Sequence, residues 1–91
     1  MTYLQKKVDT HDVSEERLSE LWDGLSSAER EKWFRCLKTH PSDMDLGEEV
    51  YGMELGYVSE QCSQPMLQAI VNRLWKIATG ELVLVEGAIV L

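Results

Sequence analysis

The sequence predicts a mostly α-helical fold, a compact bundle of three to four helices around a central apolar helix over 64–79, with a small C-terminal β strand or hairpin over 82–91. Three observations carry that prediction. Between Ser63-Gln64-Pro65 and Gly80, apolar residues fill most of a helical circumference: Met66, Ile70, Leu74 and Ile77 on one face, with Leu67, Val71, Trp75 and Ala78 beside them. Proline stands in the first turn and glycine just past the end, where a helix tolerates each. Upstream, two serine-led starts, Ser14-Glu15-Glu16-Arg17 and Ser26-Ser27-Ala28-Glu29, each open a stretch with apolar residues at helical spacing. Downstream, Leu82-Val83-Leu84-Val85 and Ala88-Ile89-Val90-Leu91 are short runs rich in β-branched residues on either side of Glu86-Gly87.

Residues 1–10 alternate weakly (Tyr3 and Gln5 against Leu4 and Lys6), the pattern of a short strand or a loose arm. Helix one begins with Ser14 as N-cap and two glutamates in the positive first turn, and Val13 is placed to staple onto Leu18. Leu18, Leu21, Trp22 and Leu25 form its buried face, and Gly24 ends it. Helix two spans 26–40, with Trp33, Phe34 and Leu37 inward, until Pro41 forbids continuation.

Residues 41–61 carry two competing periodicities. Leu46, Val50, Met53 and Tyr57 follow a helical step, whereas Tyr51, Met53, Leu55 and Tyr57 alternate with Gly52, Glu54 and Gly56 as a strand does. Each of Gly47, Gly52 and Gly56 weakens a helix by roughly 1 kcal/mol relative to alanine. Length and the acidic opening Ser42-Asp43-Met44-Asp45 favour a helix, and a Gly52-x-x-x-Gly56 spacing would let a second helix come close. The central helix follows, with Gln68, Asn72 and Lys76 as a polar stripe and Arg73 at its edge. A hairpin as short as 82–91 needs the helices, another strand or a second copy of the chain to rest on. The three tryptophans, Trp22, Trp33 and Trp75, are expected to share the core.

Ninety-one residues with 44% hydrophobic and 27% charged content make one domain, 1–91, with a single core. No apolar run approaches the roughly 20 residues a membrane-spanning helix needs. Residues 1–12 are too polar for a secretory signal, so the expected location is the cytoplasm. Cys36 and Cys62 lack CxxC spacing and read as two buried, reduced thiols.

Net charge is −7, unevenly spread. Residues 1–40 hold seven Lys/Arg against eight Asp/Glu, and the last nineteen residues balance. Residues 41–72 hold Asp43, Asp45, Glu48, Glu49, Glu54 and Glu60 and no basic residue. Such a field repels phosphate backbones and attracts basic surfaces, which disfavours direct nucleic-acid binding.

Catalytic and metal motifs are sparse. Cys36 and His40 stand four apart on the predicted second helix, but no second ligand pair has zinc-type spacing, so no metal or cofactor is expected. An EF-hand register starting at Asp43 fails, with Gly47 in the fifth position and Glu48 where the turn glycine belongs. There is no Gly-x-Ser-x-Gly elbow and no phosphate-cradling glycine loop. The expectation is therefore a non-enzymatic protein-binding module that meets a basic surface of a larger protein. The concrete form is an inhibitor occluding a nucleic-acid-binding site, of the phage anti-defence kind. Asp43, Asp45, Glu48, Glu49 and Glu54 would supply the charge, with Tyr51 and Tyr57 as apolar anchors beside Met53. Two alternatives stand beside it. One is a small adaptor or assembly subunit, homodimeric through 82–91. The other is a helix-turn-helix regulator using helix 26–40, whose Arg30, Lys32, Arg35 and Lys38 would face DNA.

Overall fold

A computed structural model describes residues 4–47 and 49–90. Among these residues the order is α1 (Glu15–Asp23), α2 (Ser27–Cys36), 3-10 turns at Pro41–Asp45 and Val50–Gly52, α3 (Leu55–Gln61), α4 (Gln64–Ala78), β1 (Val83–Val85) and β2 (Ala88–Val90). The mostly helical architecture with a C-terminal hairpin is thus the one the sequence predicts.

The caps fall where side-chain chemistry puts them. Ser14 Oγ accepts from Arg17 N, Ser26 Oγ from Glu29 N, and Ser63 Oγ from Met66 N, each satisfying one orphan donor of a first turn. Gly80, at φ +83°, closes α4, its N–H donating to Ile77 O while Thr79 N donates to Trp75 O. Leu18, Trp22, Trp33, Leu55, Val58, Met66, Leu67, Ile70, Val71 and Leu74 are fully buried. α4 lies against α1, α1 against α3, and α2 against the Val50–Gly52 turn and β2. Trp22 sits at the middle of this core. Its ring meets Trp33 and Phe34 edge-on, both at 6.2 Å, and its indole N–H donates to Met53 O at 2.8 Å.

Several expectations are corrected. Segment 41–61 is neither one helix nor a strand: two 3-10 turns precede the seven-residue α3, because its glycines and Pro41 leave no long run able to propagate a helix. Helix two stops at Cys36, with Leu37 as its cap, short of His40. Cys36 is exposed, so only Cys62 is a core thiol. Gly52 does not serve a close helix crossing, since no heavy atom of the described residues outside its chain neighbours lies within 4 Å of its would-be Cβ. Trp75 is half-buried outside the tryptophan cluster, stacked on His11 at 4.6 Å.

The polar stripe of α4 is not a bare solvent face. Residues 4–12 run along it as an irregular arm held by side-chain amides. Gln64 Nε2 donates to Lys7 O, Gln68 bonds both Asp9 N and Asp9 O, and His11 Nε2 donates to Asn72 Oδ1 at 2.7 Å. Leu4 is buried, and Lys6 Nζ caps the end of α3 on Ser59 O and Glu60 O.

The hairpin pairs Val83 with Val90, Leu84 with Ile89 and Val85 with Ala88. Glu86 (φ +54°) and Gly87 (φ +80°) both take the left-handed conformation a type I′ turn requires. The hairpin is tied to the start of α2. Ser26 N donates to Gly87 O at 2.9 Å, and Ile89 N donates to Glu29 Oε1 at 3.1 Å. The other Glu29 oxygen accepts from Trp33 Nε1 at 2.8 Å, so this buried carboxylate spends its acceptors on holding the hairpin and the core together.

Candidate functional site

The segment the sequence singles out, 41–57, is built as a fastened loop. His40 caps the first 3-10 turn with Pro41 in its first helical position, and Ser42 N donates to the His40 ring. Leu46 and Tyr51 pack on the core, and the Tyr51 ring leans on Phe34 at 5.9 Å. Beneath it, Arg30 acts as a clamp. Its guanidinium donates to Trp22 O through Nε and Nη2 and to Tyr51 O through Nη1, and lies 4.9 Å from the Trp22 ring centre. Burial lowers the Arg30 pKa, and Asp23 nearby works the other way. With Trp22 holding Met53 O, the loop is secured through the carbonyls of Tyr51 and Met53 as well as by the inward side chains of Leu46, Val50 and Tyr51.

The predicted site residues divide into distinct groups. Asp45, Glu49, Glu54 and Tyr57 are exposed, as expected of a partner-facing surface. Tyr51 is half-buried and spends one ring face on Phe34. Asp43 is a correction. It is 4% exposed and turned inward, where Oδ1 accepts from Ser63 N at 3.0 Å, and Oδ2 accepts from Ser63 Oγ at 2.8 Å and His40 N at 3.1 Å. Burial alone would raise its pKa, but the bonds from Ser63, Thr39 and His40 outweigh it and hold the carboxyl below the ordinary aspartate value. It joins the loop to the N-cap of α4 and is not offered to a partner. Glu48 lies outside the described residues.

Met44 joins this surface although its sequence neighbours are polar. It is 67% exposed, and with Met53 and Tyr57, each about two-fifths exposed, it places apolar contacts among the carboxylates. The sequence carried no signal for this: the short turn that leaves Met44 without a core to serve is seen only in the fold. Behind Met44 a cleft of about 120 Å³ opens between the loop and α2, floored by Phe34, Leu46, Val50 and Tyr51, with Arg35 and Lys38 on its far rim. Small-molecule sites run to roughly 300–1,000 Å³, so this cleft has room for one side chain of a partner.

No protein family, curated protein or solved structure matches this chain. The surface must therefore be read on its own chemistry. Among the described residues no group of three His, Cys, Asp or Glu side chains converges as a metal would require, and no helix is long and apolar enough to cross a membrane. Cys36 and His40 do not share a helix, which removes the i, i+4 geometry that paired them. The cations proposed for a DNA-facing helix do not form one free row along α2. Arg30 is turned inward, Arg35 is paired with Glu31 at 2.9 Å, and Lys38 lies beyond the end of α2.

Proposed function

We propose that this chain is a non-enzymatic binding module of the cytoplasm whose 44–57 surface engages a basic face of a larger protein. The version that best suits its charge is an inhibitor that covers a nucleic-acid-binding site, the manner of action of phage anti-defence proteins. One observation supports this above the others: Asp45, Glu49 and Glu54 are exposed, as are Met44, Met53 and Tyr57, on the clamped loop and the first turn of α3 that follows it. Carboxylates steer encounter with a basic surface, and exposed apolar side chains on a backbone already held in place supply contact area. No Lys or Arg lies between residues 41 and 72, although Arg35 and Lys38 of the neighbouring segment border the cleft beside Met44.

The test is reversal of Asp45, Glu49 and Glu54 to lysine, with the wild-type chain used to capture partners from its native host for identification by mass spectrometry. The expected result is a drop in partner affinity of roughly tenfold or more, together with loss of its salt dependence. Unchanged affinity and salt response would show a merely solvated surface.

A second reading, an adaptor dimerising through 82–91, has its own observation. Val83, Val85 and Val90 are each about half exposed on one face of the hairpin. Three half-exposed valines fall well short of the roughly 1,200 Å² of a stable interface, so the hairpin alone does not displace the first reading.

A further inference from the structure

A second cleft opens between α2, α4 and the C-terminal hairpin, and it shares no residue with the 41–57 loop. Its volume is about 210 Å³, and it is lined by Glu29, Lys32, Arg73, Leu82 and Ile89, mostly with apolar surface. Leu82 and Ile89 are half-buried there. The two cations come from different helices, Lys32 from α2 and Arg73 from α4. Neither forms an ion pair or donates a side-chain hydrogen bond among the described residues. Arg73 is nevertheless held in place. Its guanidinium lies 5.6 Å from the Trp33 ring centre, a contact that uses one face of the planar group and leaves its N–H edges to donate elsewhere. Glu29, the one carboxylate of the lining, is already engaged, with Oε2 accepting from Trp33 Nε1 and Oε1 from Ile89 N. Two cations against that one carboxylate leave the cleft a positive charge in excess, on a molecule whose net charge is −7.

We propose that this cleft binds a small organic monoanion, a carboxylate carried on a single ring or a short alkyl chain. The carboxylate takes the Arg73 fork, with Lys32 as the second cation, and the apolar body lies on Leu82 and Ile89. A single excess charge suits a monoanion, and an apolar lining offers nothing to an ion that is charged all round. Size sets the other limit. An apolar cavity of about 150 Å³ encloses benzene and drug-sized ligands need roughly 300 Å³ or more, so the 210 Å³ of this cleft admits one ring and its carboxylate. Because the lining joins the hairpin to two helices, a ligand there stabilises the folded chain by mass action.

Benzoate and hexanoate are the probes, with benzamide as a neutral counterpart and inorganic phosphate as an anion without an apolar body. In nitrogen-15 NMR titrations at low salt, both carboxylates should shift the Leu82 and Ile89 amides saturably, with a Kd of about 1 mM or below. Benzamide and phosphate should bind at least about tenfold more weakly. Arg73→Gln should weaken benzoate roughly tenfold and Lys32→Gln roughly threefold. Lys32 is exposed, so its variant keeps the fold and reads the charge alone. Saturating benzoate should also raise the Tm of the wild-type chain, and less so that of either variant. Absence of saturable shifts with both carboxylates overturns the proposal. So does phosphate or benzamide binding as tightly as benzoate, or a benzoate affinity that neither substitution changes, since the cleft would then be only a charged surface or an apolar dent.

Discussion

Asp43 shows how a residue chosen for its charge turns out to be used for its acceptors. It stands at the start of an acidic block, yet its carboxylate faces inward and receives bonds from Ser63, His40 and Thr39. Because those bonds hold its pKa below the ordinary aspartate value, its contribution to stability is fully present above about pH 4 and is lost as the pH falls through the lowered folded value. Asp43→Asn keeps one acceptor and should cost about 1–2 kcal/mol at neutral pH in urea unfolding. The gap from wild type should narrow in acid, once the native carboxyl is protonated. Glu29 was legible as a capping-box residue only in part: its backbone N–H meets Ser26 Oγ as expected, but its side chain turns to Trp33 and Ile89. A four-residue pattern has no knowledge of a strand sixty residues away, and the need to satisfy a buried indole and a strand amide decides the outcome.

At the scale of elements, the pieces that carry complete local signals were readable, while the end of α2 and the separate helix α3 were not. α1 and α4 carry cap, periodicity and stop signal together, so local and tertiary preferences agree and the boundaries fall within about two residues of their expected places. Segment 41–61 carries conflicting periods because it is anchored at separate points, through Asp43, Val50 and the carbonyls of Tyr51 and Met53, with no continuous face to define one period. Its candidate surface was legible as composition, while its division into inward Asp43 and outward Met44 was not. The hairpin turn carries a prediction of its own. Glu86 occupies a left-handed position that suits asparagine better, so Glu86→Asn should stabilise by about 0.5–1 kcal/mol and raise Tm by a few degrees in a thermal melt. Gly87→Ala should cost about 2 kcal/mol or more, since its Cβ would stand 2.8 Å from Ser26 N and 3.1 Å from Gly24 O, both backbone atoms, at a φ of +80°.

At the scale of the whole molecule, the two cysteines report cooperativity. Cys36 is exposed, whereas Cys62 is buried beside the N-cap of α4, and burial pushes its thiol up to about 11. A thiol-reactive dye should therefore label Cys36 at once in the native state. Cys62 should follow only in step with global unfolding measured by tryptophan fluorescence. Labelling of Cys62 well ahead of that transition would mean that the α3–α4 joint opens by itself. The tie between the hairpin and the start of α2 also sets an order of events on the ribosome. Ser26 N and Glu29 find their partners in Gly87 and Ile89, which are synthesised about sixty residues later. Until the hairpin emerges, Glu29 lacks one of its donors and the N-cap of α2 its acceptor, so the α1–α2 pair is completed only by residues synthesised well after it.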